Sequence, residues 1–127
     1  NDAKNHIALL ALVQREESGG VLETLPKFPD TVFSNSDAIK VGQTAIALRL
    51  HNGISLLLGV ISRTEKESAG TEGEKITRIY TTIEMGDVYT GSPLVNTDGR
   101  LVGINIADAN GDTYTVPANI VQEIFQK

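Results

Sequence analysis

The sequence contains no cysteine and no tryptophan, and aromatic residues make up only 5% of its 127 residues. Without cysteine the chain has no disulfide, no thiolate metal site and no cysteine nucleophile. Its longest apolar runs, Ile7–Val13 and Ile54–Ile61, fall far short of the roughly 20 residues that a membrane-spanning helix needs. The two histidines, His6 and His51, cannot complete a closed zinc site alone. We therefore expect no metal and no cofactor.

Positive charge is also scarce. The chain has 11 Lys and Arg against 16 Asp and Glu, which gives a formal net charge of −5 at pH 7. Because no basic run interrupts this acidic balance, we expect no nucleic-acid partner. The hydrophobic fraction of 40% and the charged fraction of 21% are those of a chain with a packed core, and the length fits one domain.

Short apolar segments divided by turn signals dominate the chain from Val41 onward. The predicted strands cover residues 44–50, 54–62, 75–83, 93–96, 100–107 and 113–116. Asn52-Gly53 and Asp98-Gly99 tolerate the positive φ angles of two-residue hairpins. Pro117 opens an apolar stripe with the spacing of one short helix. Since closure removes exposed sheet edges, the pattern predicts an all-β fold, a six-stranded antiparallel β-barrel with a C-terminal helix.

Three other segments depart from this pattern of short apolar strands divided by turns. Ile7–Val13 is apolar on both faces, which predicts a strand that is buried on both sides and needs neighbours. Residues 15–33 mix charge with glycine and proline and are predicted to be a linker. Glu65–Lys75 contains no large apolar residue, so we predict a long, mobile, solvated loop there.

The segment Tyr-Thr-Gly-Ser-Pro-Leu-Val-Asn-Thr-Asp-Gly-Arg-Leu-Val-Gly-Ile-Asn occupies residues 89–105. It resembles the nucleophile region of trypsin-like serine proteases of the HtrA group, where Gly-Asn-Ser-Gly-Gly-Pro-Leu-Val-Asn precedes an acidic-Gly turn and a Val-x-Gly-Ile-Asn strand. Further similarities follow in the family's order at residues 34–43, 59–62, 79–82 and 114–121. The last of these is similar to the family's closing Phe-Ala-Ile-Pro-Ser-Asn-Leu-Val.

The family fold consists of two six-stranded barrels with the active site between them. By this resemblance, residues 1–14 hold the last strand of an otherwise missing N-terminal barrel. Residues 15–33 are the inter-barrel linker, and residues 34–127 are the C-terminal barrel of the trypsin-like fold. Residues 7–13 would then pair with the missing barrel or with another copy of the chain. The resemblance also implies an extracytoplasmic or membrane-tethered parent protein.

Serine protease chemistry needs an activated hydroxyl, an imidazole oriented by a carboxylate, and amides aimed at the developing oxyanion. The resemblance places Thr90 at the nucleophile position, and Val88 and Thr90 at the oxyanion-hole positions. His6 stands where the family has its orienting aspartate, and the catalytic histidine would lie upstream of residue 1. Because both Thr90 and Val88 are β-branched, the attack geometry and the amide cradle are predicted to be spoiled.

The resemblance therefore predicts a protease homologue that has lost catalysis and acts as a peptide-binding, protein-binding or scaffold domain. An extended peptide would form main-chain hydrogen bonds with an exposed strand. The residues predicted to form or flank this groove are Leu101, Val102, Gly103, Ile104, Asn105, Ile106, Ala107 and Asp108. The alternative is the C-terminal half of an active serine-type endopeptidase whose first barrel supplies the catalytic histidine.

Several polar residues allow more than one interpretation. His6 is either a new catalytic base or a structural residue, and His51 is interpreted as a residue flanking a hairpin. Asp87 and Asp112 either favour basic side chains in a substrate or are solvated loop carboxylates. Asp37 has no role in the motif and is predicted to lie in a turn or cap.

Overall fold

The computed structural model of the chain describes residues 3–10 and 28–126, apart from the side chain of Glu72. Its strands are β1 (Thr44–Leu50), β2 (Ile54–Ser68), β3 (Glu74–Thr81), β4 (Pro93–Val95), β5 (Leu101–Ala107) and β6 (Thr113–Pro117), and the helix α1 (Ala118–Gln126) follows them. The strands close into one barrel in the order β1-β2-β3-β6-β5-β4. Every strand pair is antiparallel. The predicted fold class is therefore confirmed.

The barrel is filled by aliphatic side chains that alternate along the strands. In β1, Ala45 and Ala47 are buried, while the alternate residues Thr44, Ile46 and Leu48 are more exposed. The buried core cluster consists of Ala45, Ala47, Ile61, Ile76, Ile79, Ile83, Met85, Tyr89, Leu94 and Val102. Glycine at position 103 lets β5 and β6 approach closely, because a Cβ there would overlap the carbonyl oxygen of Val116. Period-two alternation thus produces the filled interior that a small barrel requires.

A second apolar cluster joins α1 to β5 and β6. Its buried members are Ile106, Tyr114, Val116 and Val121, and Ile7 and Phe33 pack against them. The predicted helix is confirmed, and it uses its apolar stripe to bind this cluster. The amide of Asn119 in its first turn donates to the Ser36 hydroxyl at 2.8 Å, which ties the helix to the chain entering β1.

Both predicted hairpins are present, but their loops are longer than two residues. The loop from β1 to β2 has three residues, 51–53, with φ of 53° at Asn52 and 119° at Gly53. The loop from β4 to β5 spans 96–100, where the Asn96 side-chain oxygen accepts from the amides of Asp98 and Arg100 at 3.0 and 2.9 Å. The Asn96 side chain therefore closes a wider turn than the dipeptide alone predicts.

The predicted loop at Glu65–Lys75 is wrong. β2 continues to Ser68 and β3 begins at Glu74, which leaves a 3-10 turn at Gly70–Glu72 between them. Glu67 and Lys75 are cross-strand partners within this extension. A hairpin that projects into water needs cross-strand pairing rather than large apolar side chains, so the lack of such residues did not exclude strands.

The predicted strand at Ile7–Val13 is described only in part. Ile7 forms an isolated bridge, residues 8–10 have no regular structure, and residues 11–13 lie outside the described residues. Most of the predicted linker lies outside them as well, although Phe33 forms a parallel bridge with Leu101. The proposed division at residues 14 and 33 stays a prediction. Among the described residues, no helix has the length and apolarity to cross a membrane.

Candidate functional site

Thr90 lies where a 3-10 turn, Asp87–Tyr89, runs into the segment before β4. The Thr90 amide donates to the carbonyl of Asp87 at 2.9 Å, and the Tyr89 amide donates to the carbonyl of Gly86 at 3.0 Å. Gly91 then adopts φ of 82° and donates its amide to the carbonyl of Asn105 in β5 at 2.8 Å. This positive φ requires glycine, and it turns the chain onto β5.

The hydroxyl of Thr90 is also hydrogen-bonded within the chain. Its Oγ1 accepts from the amide of Ala107, at the end of β5, at 3.0 Å. Tyr89, the preceding residue, is buried in the barrel core, and the guanidinium of Arg49 lies 5.3 Å from its ring centre. The nucleophile position is therefore held from both sides, by the core through Tyr89 and by β5 through its own hydroxyl.

The two predicted oxyanion-hole residues differ in their surroundings. Val88 has an exposed side chain. The main-chain amide of Thr90 donates to the carbonyl of Asp87 within the 3-10 turn, so this amide already has an acceptor. An oxyanion bound by both amides would have to displace the carbonyl of Asp87 from the Thr90 amide. This geometry agrees with a spoiled amide cradle, and the loss of hydrolysis stays a prediction.

An open cleft of about 500 Å³ surrounds Thr90. Its lining residues are Leu48, Arg49, Leu50, Ile54, Val88, Thr90, Gly91, Ser92 and Pro93. Leu50, Ile54 and Val88 are exposed aliphatic residues. Arg49, the charged residue of this lining, directs its Nε to the hydroxyl of Ser55 at 3.4 Å. The cleft beside Thr90 is therefore mainly aliphatic, in keeping with a site for an apolar side chain.

No hydrogen bond or ion pair joins His6 to Thr90 in the described part of the chain. The neighbours of His6 face another region, since Lys4 lies 3.8 Å from Glu67 of β2. Ile7 packs against the cluster beneath α1. His6 itself is exposed and has φ of 55°. The structure thus gives His6 no contact through which it would act as a base on Thr90.

The other candidate polar residues take structural or exposed positions. His51 lies in the β1–β2 loop, as predicted, and its amide donates to the carbonyl of Gly53 at 3.0 Å. Asp37 lies in the 3-10 helix Ser36–Ala38, and its carboxylate accepts from the amide of Ile76 and the side chain of Asn119 at 3.1 and 2.6 Å. The predicted turn role of Asp37 is confirmed. Asp87 and Asp112 are both exposed, so their two interpretations stay open.

The predicted peptide groove stays a prediction, and much of its strand already has neighbours within the barrel. Segment Leu101–Asn105 already has neighbours on both sides: β4 and the residues before it on one, β6 or the chain entering β1 on the other. A peptide cannot add to these residues without displacing part of the barrel. Ile106 and Ala107 also pair with β6. What stays a prediction is a contact at the end of β5, from Ile106 to Asp108, beside Thr90.

Sequence reasoning missed a polar network behind the nucleophile position. The side-chain amide of Asn105 donates to the hydroxyl of Ser92 at 3.0 Å, and the hydroxyl of Thr115 donates to the side-chain oxygen of Asn105 at 2.7 Å. Asn105 and Thr115 are buried. The network ties the segment after Thr90 to β5 and β6. Its one signal in the sequence is an asparagine inside an apolar strand.

The perturbed pKa values lie away from the cleft, on β2 and β3. Hydrogen bonds from Arg63 at 2.7 Å and then from the hydroxyl of Tyr80 at 3.0 Å lower the pKa of Glu65. The guanidinium of Arg63 also lies 3.7 Å from the ring centre of Tyr80. These contacts describe a structural cluster on an exposed sheet. Within the described ranges, no three His, Asp or Glu side chains converge as metal ligands.

Comparison with known proteins places these features in a family. The trypsin-like peptidase domain family matches residues 1–104. The putative serine protease HhoA of Synechocystis sp. is 30% identical over 122 residues, which cover 91% of this chain and 29% of that protein. A probable periplasmic serine protease, do/HhoA-like, of Haemophilus influenzae is 25% identical over 126 residues, covering 93% of this chain and 26% of that protein.

Solved structures agree with this assignment. The protease domain of MamO from Magnetospirillum magneticum, in its apo form, superposes with a TM-score of 0.59 at 25% identity, covering 84% of this chain and 59% of that chain. This chain spans less than a third of the length of the two relatives above, 29% and 26%. With the matched residues and the barrel together, the chain belongs to the trypsin-like peptidase domain family, in the HtrA group of serine proteases.

Proposed function

We propose that this chain is a non-catalytic trypsin-like domain that binds an extended peptide or protein segment. The observation that carries the proposal is the hydrogen bonding of Thr90. Its hydroxyl oxygen accepts from the amide of Ala107, and its own amide donates to the carbonyl of Asp87. Hydrolysis would need the first group free for attack and the second free for the oxyanion.

The surroundings of Thr90 also argue against hydrolysis. A threonine hydroxyl becomes a nucleophile only when a neighbouring base takes its proton. Among the described residues, no hydrogen bond joins His6 to Thr90. Val88 adds a β-branched side chain where the family has glycine, which restricts the backbone next to the oxyanion position. The isolation of Thr90 from His6 and the β-branched residue at Val88 both support a loss of hydrolysis.

Binding makes smaller demands than hydrolysis. A peptide can be held by main-chain hydrogen bonds and by apolar contacts, and neither requires a nucleophile. The open cleft beside Thr90 supplies exposed aliphatic side chains from Leu50, Ile54 and Val88. These exposed residues support a binding role for the cleft.

A labelling and turnover assay tests the loss of catalysis. The protein and its Thr90→Ala variant are treated with a fluorophosphonate probe and with a quenched-fluorescence library of extended peptides. We expect no labelling and no turnover that differs between the two. Turnover that disappears in Thr90→Ala would overturn the proposal. The paired change Thr90→Ser with Val88→Gly, which restores the family residues, serves as a control for the nucleophile and the oxyanion loop.

The second candidate function is the C-terminal half of an active serine-type endopeptidase. It is favoured by the exposed position of Thr90 in the cleft and by the names of the relatives, which are serine proteases. In this case a first barrel would supply the histidine. Adding that barrel to the assay above would then produce turnover that depends on Thr90.

We also propose an extracytoplasmic location for the protein that carries this chain, because the relative from Haemophilus influenzae is named as periplasmic. Cell fractionation with marker proteins tests it, and recovery with the cytoplasmic marker would contradict it.

A further proposal concerns the predicted strand at Ile7–Val13. Leu9 and Leu10 are exposed in it, and we propose that a first barrel or another copy of the chain pairs there. Slower amide exchange at residues 8–10 when a first barrel is added would support this pairing.

A further inference from the structure

Two asparagines of the chain precede a glycine, Asn52 before Gly53 and Asn110 before Gly111. The side-chain carbonyl carbon of an asparagine is open to attack by the main-chain nitrogen of the next residue, which closes a five-membered succinimide ring. Glycine in second place favours this attack, because it has no Cβ to hinder the approach and its backbone takes many conformations. The two pairs have the same local chemistry, so the loops that carry them decide how readily each one reacts.

The pair Asn52-Gly53 lies at the tip of the β1–β2 hairpin, where residues 51–54 are all exposed. Among the described residues, neither the Gly53 amide nor the Asn52 side chain takes part in a hydrogen bond. A Cβ built at Gly53 would meet no atom within 4 Å, so there is open space beside the main chain. The attacking nitrogen and the carbon that it attacks are therefore both exposed and unpaired.

The backbone of this loop also favours the movement that ring closure requires. Asn52 has φ of 53°, in the left-handed region that is unfavourable for a residue with a Cβ. The Gly53 nitrogen reaches the Asn52 side chain only after rotation about the main-chain bonds of Asn52, and leaving the left-handed region relieves this strain. Because the three loop residues lie outside the core, the rotation displaces no buried side chain.

The loop that carries Asn110 is held by Asp108. The carboxylate oxygen Oδ1 of Asp108 accepts from the amides of Asn110 and Asp112 at 2.8 and 3.0 Å. The Gly111 amide donates to the carbonyl of Asp108 at 3.0 Å, and the Asp108 amide donates to the carbonyl of Asp112 at 2.9 Å. The nitrogen that would attack Asn110 is thus hydrogen-bonded, and the attack would first have to break this turn.

We propose that Asn52 is a site of spontaneous deamidation in the folded protein and that Asn110 is protected by its turn. The Gly53 nitrogen gives its proton to solvent and forms a bond to Cγ of Asn52. The side-chain nitrogen of Asn52 takes up a proton and leaves as ammonia. Water then adds to either carbonyl of the succinimide and opens the ring to aspartate or isoaspartate. One water is consumed and one ammonia is released, and no oxidant or reductant takes part.

The product places a carboxylate beside the candidate site. Leu50 and Ile54 flank the loop on its two sides, and both line the cleft around Thr90. Each converted chain gains one negative charge beyond its formal −5. Isoaspartate also lengthens the main chain by one methylene, within the loop that sets the pairing of Leu50 with Ile54. Charge and hairpin geometry at the rim of the cleft therefore change together as the protein ages.

The test follows both asparagines in one sample. The folded 127-residue chain is incubated in mildly alkaline buffer made with heavy-oxygen water, and is then digested with trypsin in ordinary water. Trypsin releases Asn52 and Asn110 in different fragments, because several Lys and Arg residues lie between them. Mass spectrometry counts only products that contain heavy oxygen, which excludes conversion during digestion. We expect Asn52 to convert at least tenfold faster than Asn110, with isoaspartate among the products.

A second incubation, in guanidinium chloride, removes both loops and leaves the sequence unchanged. We expect the two rates to agree within threefold there. Asn52→Gln keeps a side-chain amide but would need a six-membered ring, so position 52 should not convert. Asp108→Ala removes the acceptor of the Asn110 and Asp112 amides, and Asn110 should then convert at least threefold faster while Asn52 keeps its rate. Thermal unfolding checks that both variants are folded during the incubation.

Three results would overturn the inference. Equal conversion of the two asparagines in the folded protein would show that their loops do not differ in protection. A tenfold difference that persists in guanidinium chloride would assign the difference to local sequence and not to the fold. Aspartate without isoaspartate at position 52 would exclude the succinimide, since direct hydrolysis of the side chain gives aspartate alone.

Discussion

The two halves of β2 pair with different strands, and their exposed surfaces differ in chemistry. The first half, Ile54–Val60, pairs with β1, and the second half, from Ile61 to Ser68, pairs with β3. The first half exposes aliphatic residues, whereas the second carries Arg63, Glu65, Lys66 and Glu67. Charge on an exposed strand opposes pairing with other chains, and the second half has this protection. The first half lacks this protection.

The second half also shows how a polar sheet is stabilised without a large apolar face. Arg63 bonds Glu65 at 2.7 Å, and Lys66 lies 3.5 Å from Glu74 on β3. The guanidinium of Arg63 also covers the ring of Tyr80. These contacts are exposed and individually weak, but they connect β2 to β3 across the hairpin. The aliphatic half, Ile54–Val60, carries no charged side chain and leaves Ile54, Leu56 and Leu58 exposed.

The largest expected effect comes from replacing a core leucine by alanine and comparing it with the same substitution in the aliphatic half of β2. Leu94→Ala opens a cavity in the core, where Leu94 is 0% exposed, and should lower the free energy of unfolding by about 3 kcal/mol. Leu58→Ala, in the aliphatic half, should cost less than about 1 kcal/mol. Urea denaturation measures both. A cost at Leu58 equal to that at Leu94 would mean that Leu58 is buried in solution.

Gly59 follows Ile54–Leu58, the part of β2 that has a strand on one edge only among the described residues. A Cβ at this position would lie 2.6 Å from Ile83 Cγ1 and 2.7 Å from Thr82 Oγ1. Gly59→Ala should therefore destabilise the fold by about 2 kcal/mol in urea denaturation, because the segment after β3 must move. Gly86→Ala is the control, since no neighbour lies within 4 Å of its Cβ. Equal stabilities for the two variants would show that the segment 82–83 does not flank β2.

Tyr80→Phe tests the network of the charged half. It removes the hydroxyl that donates to Glu65 at 3.0 Å and keeps the ring beneath Arg63. Because the pair is partly exposed, we expect a loss of about 0.5 kcal/mol in the free energy of unfolding. Chemical denaturation of Tyr80→Phe and of the double variant with Glu65→Gln measures the coupling. Strict additivity would show that the hydroxyl and the carboxylate act independently.

The smallest expected effect is a pH dependence of the free energy of unfolding, caused by Glu65 in the charged half of β2. The hydrogen bonds from Arg63 and Tyr80 lower the folded-state pKa of Glu65 below its ordinary 4.5. The stabilisation that these hydrogen bonds give the folded state is therefore present above the unfolded-state pKa of Glu65. It is lost as the pH falls through the folded-state pKa of Glu65. Since the Glu65 side chain is partly exposed, we expect a change of only a few tenths of a kcal/mol in the free energy of unfolding. Denaturation from pH 6 down to about 3 should show a shallower decline in Glu65→Gln than in wild type, and identical slopes would contradict the assignment.

Local patterns predicted the strands well where burial alternates. The six strands, the closing helix and both hairpins follow from period-two apolarity and from Asn-Gly and Asp-Gly turns. The same reasoning failed at Glu65–Lys75, because it took the absence of large apolar residues for a loop. Pairs such as Glu67 with Lys75 form strands through cross-strand hydrogen bonds, which no local pattern of apolar residues reports.

The sequence predicted where the candidate site lies, but it did not predict which of the site's polar groups are hydrogen-bonded within the chain. The motif around Thr90 located the nucleophile position and the aliphatic Val88 beside it. The acceptors and donors of Thr90 were not predictable, because Ala107 lies seventeen residues away along the chain. The neighbours that flank Leu101–Asn105 on both sides were not predictable for a related reason. Whether a strand has a free edge depends on which distant strands flank it.

By itself, the sequence determined the fold class, the order of the strands along the chain and the family, because these depend on short-range periodicity and on motifs read in order. Tertiary structure decided which backbone groups are occupied and which are open. Barrel closure placed neighbours on both sides of Leu101–Asn105 and left one edge of Ile54–Leu58 without a strand among the described residues. Hydrogen-bond pairing between strands is a long-range property, so the apolar run at Ile54–Ile61 alone could not show whether it faces the core or a partner.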